Sequence, residues 1–88
     1  MARPGLILKL SCPDQPGIVA KISNYVASYS GNLVEFAQFT DKQSARFFAR
    51  LEIETGGLTV EVDDFIEGFG TLGRSLAARF HFRRLPYR

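Results

Sequence analysis

Ser11-Cys12-Pro13-Asp14-Gln15-Pro16-Gly17 stands between an alternating apolar stretch and an amphipathic one. Two prolines and a glycine restrict its backbone to a turn from strand to helix. The first amide N–H groups of a helix have no partner inside the helix. A turn of this kind directs them outward, where a small anion or a carboxylate can bind.

Upstream of the turn, Leu6, Leu8, Leu10 and Cys12 alternate with Ile7, Lys9 and Ser11, the period of a strand with its leucines toward a core. Downstream, the spacing predicts a helix over about 15–30 with Ile18, Ile22, Val26 and Tyr29 on one face. Asp14 or Gln15 is placed to cap it, Pro16 suits its first turn, and Gly31-Asn32 is expected to end it with a left-handed cap. A second strand covers 33–40. Its apolar phase slips between Phe36 and Phe39, which predicts a bulge there. Asp41-Lys42-Gln43-Ser44 is a polar turn into a third strand, so the two strands form a hairpin. In that third strand Phe47, Ala49, Leu51 and Ile53 face one way and Arg46, Phe48, Arg50 and Glu52 the other.

A loop over 55–62 surrounds Gly56-Gly57. Asp63 or Asp64 is then placed to cap a second helix with core face Phe65, Phe69, Leu72 and Leu76. Each of Gly68, Gly70 and Gly73 costs this helix about 1 kcal/mol against alanine. Either they permit close packing or the helix is irregular there. A last strand covers 80–85, with Phe80 and Phe82 inward. The order β-α-β-β-α-β is the split-βαβ plan, an α+β class. Right-handed crossovers make it a ferredoxin-like sandwich, a four-stranded antiparallel sheet with both helices on one face. The other face is open and carries Lys9, Ser11, Arg46, Phe48, Arg50, His81 and Arg83.

Eighty-eight residues make one small domain, here 1–85, with 86–88 as a tail or the start of a linker. At this size about 60% of the unfolded surface is buried, so pairing with a second copy is a common source of added stability. A hydrophobic fraction of 45% with eight phenylalanines excludes disorder. The net charge of +2 gives no argument for nucleic acid. Arg79, Arg83, Arg84 and Arg88 nevertheless crowd the end, as a polyanion contact or as a solvated terminal linker. The single cysteine excludes a disulfide framework and a Cys-rich zinc site. Leu6-Ile7-Leu8 is too short for a signal peptide and is interrupted by Lys9, and no stretch reaches membrane-spanning length. The chain reads as cytoplasmic, without a membrane partner.

Three functional classes share this plan. RNA-recognition modules stack bases on aromatics of two central strands. Here Phe48 stands alone between Arg46 and Arg50, and Ala45-Arg46-Phe47-Phe48-Ala49-Arg50 lacks the glycine of the RNP1 pattern. Acylphosphatases hold a phosphoryl group with an arginine in the first loop, and none lies between Cys12 and Gly17. His81 has no carboxylate placed in sequence to orient it. Cys12, in phase with the leucines, reads as core rather than as a nucleophile. No residue is assigned a catalytic role, a metal or a cofactor.

The third class is amino-acid sensing. Asp14-Gln15-Pro16-Gly17, after a strand and before an apolar helix, resembles the ligand loop of ACT domains: an acidic residue, a proline-glycine pair, then an aliphatic residue. Asn32-Leu33 matches the family position whose side chain often helps bind the ligand. The resemblance implies a regulatory module that binds an amino acid through Asp14, Gln15, Pro16, Gly17, Ile18, Asn32 and Leu33. The helix amides near Gly17 suit a carboxylate. Asp14 or the amide oxygen of Asn32 suits an ammonium. Each residue also has a plainer role: Asp14 as a cap, Asn32 within the turn after the helix, Gly17 in relieving crowding beneath the sheet.

The stretch from Cys12 to Ala20, with Arg46-Phe47-Phe48-Ala49-Arg50 and Phe82-Arg83-Arg84, is similar over 6–84 to the N-terminal ACT domain of formyltetrahydrofolate deformylases. These hydrolases release formate from 10-formyltetrahydrofolate for purine synthesis. The resemblance implies glycine or methionine as effector, and a homodimer with ligand where the 14–17 loop meets Asn32 of a second copy. It also implies a C-terminal hydrolase domain, whose catalytic residues this chain lacks. The chain is then the regulatory part of such an enzyme or a free-standing regulator. The alternative from another class is a structural dimerisation module, in which Phe48 and the open basic face dock a partner.

Overall fold

The computed structural model describes residues 4–85. They form β1 (Gly5–Pro13), α1 (Ile18–Ser28), β2 (Asn32–Asp41), β3 (Arg46–Glu54), α2 (Val62–Ser75) and β4 (Arg79–Arg84), in the expected order. All strand pairs are antiparallel and the sheet order is β2-β3-β1-β4, the ferredoxin-like arrangement. Leu6, Leu8, Leu10 and Cys12 of β1 are buried and sit opposite Ile53, Leu51, Ala49 and Phe47 of β3. Ile18, Ile22 and Val26 of α1 and Phe65 and Phe69 of α2 close over them, so both helices cover one face. The proposed tail over 86–88 lies outside the described residues.

Four local features differ from the sequence-based expectation. α1 begins at Ile18 rather than near residue 15, because Gly17 is its N-cap in the left-handed conformation (φ 82°). Neither Asp14 nor Gln15 caps it, and no side chain does. At the other end the left-handed residue is Ser30 (φ 63°) and not Gly31. The Ser30 and Gly31 amides donate to the carbonyls of Ala27 and Val26 at 3.0 Å each, a Schellman closure. Gly31 is required for space instead, since a Cβ there would meet Val26 Cγ1 at 2.9 Å.

The bulge in β2 lies between Leu33 and Glu35, not between Phe36 and Phe39. Val34 is the extra residue, and one inserted residue exchanges the two faces of the strand beyond it. Leu33 and Phe36 therefore both reach the core, whereas Phe39 turns to the open face. At α2 the N-cap is Glu61, again without a side-chain bond, and Asp63 and Asp64 occupy the first turn, where the helix dipole favours them. Asp63 pairs with Arg84, so Arg79, Arg83 and Arg84 belong to a paired strand rather than a terminal linker.

α2 runs through its three internal glycines without interruption. Gly68 lies against Tyr25, whose hydroxyl would be 2.7 Å from an added Cβ. Gly73 lies against the Phe80 ring, with Cδ1 at 2.8 Å from such an atom. Gly70 faces only the end of the Arg74 side chain at 3.4 Å. Close packing explains the first and third glycines but not Gly70. In urea denaturation Gly70→Ala is expected to raise stability by up to about 1 kcal/mol through helix propensity. Gly73→Ala is expected to lower it by about 1–3 kcal/mol, because overpacking against the ring outweighs the same gain.

Candidate functional site at the start of the first helix

The 14–17 loop leaves β1 at Pro13 and is fastened at two points. The Asp14 amide donates to the Ala45 carbonyl of the β2–β3 turn at 2.9 Å. Gln15 Nε2 donates to the carbonyls of Pro13 at 2.9 Å and Leu76 at 3.1 Å. Gln15 is thus a strap between the loop and the end of α2, where carbonyls lack helical partners. The first bond of α1 runs from the Lys21 amide to the Gly17 carbonyl at 3.0 Å. The amides of residues 18–20 precede it, with no side-chain cap and no acidic residue in that turn. The Asp14 carboxylate is exposed and has no hydrogen-bond or ion-pair partner among the described residues. Pro16 and Gly17 are exposed, whereas Ile18 is buried, at 3% exposure.

Asn32 lies at the opposite end of the sheet. It pairs in register with Glu54, which also pairs with Gly5, whereas Pro13 and Asp41 both pair with Arg46 at the loop end. At about 3.3 Å per residue, the length of β1 separates the two ends by roughly 26 Å. Asn32 Nδ2 donates to Glu54 Oε1 at 2.9 Å. It does not serve the turn after α1, which Ser30 and Gly31 close with backbone alone. A hollow of about 340 Å³ borders Asn32, Ser30, Glu54 and Gly57. Leu33 packs half-buried against the core. Within one chain, the structure gathers Asp14 to Ile18 and leaves Asn32 and Leu33 apart from them.

A larger concavity, about 550 Å³, occupies the open sheet face. It includes Phe48, as the alternation in β3 implies, and also Phe39, which is 61% exposed and stacks on Phe48 with centroids 5.0 Å apart and planes at 15°. The phase slip in β2 is the signal for Phe39, but the bulge lies at Val34, at least three residues before the expected place, and this turns Phe39 to the open face.

Cys12 is wholly buried, and burial pushes its thiol above the ordinary value, against a smaller opposing pull from Arg46. A neutral enclosed thiol is a packing group. Burial, followed by the proximity of Tyr29, pushes the Tyr25 hydroxyl up to about 12. Tyr25 also donates a 2.7 Å hydrogen bond to the Phe65 carbonyl, joining the two helices. Among the described residues no group of His, Cys, Asp and Glu could hold a metal ion, and no helix is long and apolar enough to cross a membrane.

No family model matches the chain. Its fold superposes on an ACT domain protein from Streptococcus pneumoniae with a TM-score of 0.78, over 94% of this chain and 91% of that one, at 17% identity. Element order and sheet order thus give the chain the fold of an ACT domain. The chain is 34% identical over 77 residues to the formyltetrahydrofolate deformylase of Synechocystis sp., covering 85% of this chain and 27% of that protein. A formyltetrahydrofolate deformylase from Pseudomonas syringae pv. tomato superposes with a TM-score of 0.89 at 32% identity, covering 96% of this chain and 28% of that one. The chain belongs to the formyltetrahydrofolate deformylase family as an ACT domain, and it spans about a quarter of the length of these relatives.

Two solution measurements follow from the titrating groups. Cys12 is expected to resist Ellman's reagent in the folded protein at neutral pH and to react fully in denaturant. Tyr25 ionises near 10.0 when unfolded and about 12 when folded, so the neutral form is favoured by folding. Its contribution is intact below pH 10.0 and is lost as pH rises toward about 12. Urea midpoints are therefore expected to fall over that window, and less steeply in Tyr25→Phe.

Proposed function

We propose that this domain binds a small amino acid, glycine or methionine first among candidates, and regulates a formyltetrahydrofolate-hydrolysing domain of the same protein in the cytoplasm. The observation that carries this reading is the uncapped start of α1 beside the unpartnered Asp14 carboxylate, in a chain homologous to deformylases. The amides of residues 18–20 would receive the ligand carboxylate. Asp14 would receive its ammonium. Formate release for purine synthesis would belong to the attached domain.

Asn32 joins such a site only through a second copy. β2 is an edge strand, and α1 packs on its side of the sheet. Antiparallel pairing of two β2 strands about a two-fold axis sets the Asn32 end of one beside the Asp41 end of the other. That end also holds Pro13 and the 14–17 loop, since Asp41 and Pro13 share Arg46 as register partner. The bulge at Val34 leaves residues 35–41 free to pair. Glu54 holds Asn32 Nδ2, which leaves Oδ1 to accept from an ammonium. Pairing through β4, the other edge, would leave Asn32 far from the loop. A ligand at this seam would stabilise the dimer, and would act on an attached domain to the extent that two dimer geometries bind it differently.

Thermal denaturation with an amino-acid panel tests the proposal. A ligand at 100 times its Kd is expected to add about 2.7 kcal/mol of stability. Asp14→Ala and Asn32→Ala are each expected to remove the shift. No shift with any amino acid in a dimeric sample would leave a structural dimerisation module instead.

A further inference from the structure

We infer that the open face of the sheet carries a second ligand site, for a planar aromatic ring bearing a carboxylate or phosphate, seated above Ser11. The strand registers lay two rows across this face: Phe39, Phe48, Ser11, Arg79, and beside it Ala37, Arg50, Lys9, His81. In the first row the rings of Phe39 and Phe48 are nearly parallel, with centroids 5.0 Å apart. That spacing is close to the roughly 4.8 Å between adjacent strands, so the stack runs across the strands. The next place in the row holds only a hydroxymethyl group, and the place after it holds Arg79. Phe48, Ser11 and Arg79 all line the 550 Å³ concavity, so the row leaves a gap at Ser11 between two larger side chains. An aromatic ring in the gap would continue the stack on one side. It would meet a guanidinium on the other.

Charge decides what the ring carries. Lys9, Arg50, Arg79 and His81 line the concavity, and no carboxylate does. Arg50 is paired with Glu35, but Lys9 and Arg79 have no ion-pair partner among the described residues. Arg46 donates to Ser11 Oγ at 2.8 and 3.1 Å, which fixes the floor of the gap and adds a cation at its margin. A neutral ring would leave these cations unanswered, and a simple anion would leave the aromatic wall uncovered. The flanking rows carry Glu35, Glu52 and Asp41 on the same face. These acids oppose an acidic protein or a polynucleotide spread over the sheet and confine the negative charge to its centre. The site faces away from α1 and does not depend on the amino-acid site.

The test is calorimetric titration and amide chemical-shift mapping with AMP and 2-naphthoate, which separate the phosphate form from the carboxylate form. Adenosine and ribose 5-phosphate serve as half-ligands. Saturable binding of either probe is expected, with shifts at Ser11, Phe48 and Arg79 and much weaker binding of both half-ligands. Phe48→Ala is expected to weaken it by about tenfold. Ser11→Leu, which fills the gap, is expected to weaken it comparably and keeps the test decisive if Phe48→Ala does not fold. Absence of saturable binding, or binding that survives both substitutions, would overturn the inference. So would tighter binding of a single-stranded oligoadenylate than of AMP, or self-association abolished by Phe48→Ala, which would assign the face to RNA or to a second copy.

Discussion

The antiparallel register of β1 on β3 is the constraint from which the rest of this structure follows. Leu6, Leu8, Leu10 and Cys12 meet Ile53, Leu51, Ala49 and Phe47, and that pairing commits one face to the helices. The same register commits Ser11, Lys9, Phe48 and Arg50 to the other face. A slip of one residue would turn every one of these side chains over. Strand length does the remaining work of placement, because it sends the 14–17 loop to one end of the sheet and Asn32 to the other.

That separation changes what a single chain can do. The loop offers helix amides and a carboxylate, and an amino acid bound there as proposed would be open on one side. The residues that would enclose the ligand lie roughly 26 Å away along the strand direction. The proposed two-fold pairing of β2 edges would solve the geometry and answer the small size of the domain in one step, since a single domain of this size buries only about 60% of its unfolded surface. Ligand binding and assembly would then be linked, which a regulator needs if it is to report concentration as a change in shape.

Much of this was legible in the chain. Period-two alternation in β1 and β3 and helical spacing in 18–26 and 65–76 fixed the layers, and the 12–20 stretch carried the family resemblance. The helix ends were not legible. Gly17, Ser30 and Glu61 act as cap or closing residues because of backbone conformation, and none offers the side-chain bond that a sequence pattern detects. Gln15 looked like a cap because its true partner, the Leu76 carbonyl, is distant in sequence and adjacent only after folding. The bulge position was likewise set by pairing with β3, so Phe39 could not be assigned to the open face from the β2 sequence alone. Asn32 does not serve the turn after α1, and its Nδ2 donates instead to Glu54 across the strands, a partner distant in sequence.

The most direct measurement is amino-acid binding by a mixture of two variants, Asp14→Ala and Asn32→Ala, each inactive by itself. If the site is shared between copies, a mixed dimer holds one of its two seams with both residues intact, so equal mixing, in which half of the dimers are mixed, should restore about a quarter of the wild-type sites on dimerised chains. If mixing restores nothing while mixed dimers are present by native mass spectrometry, the ligand is not held between the loop of one copy and Asn32 of the other.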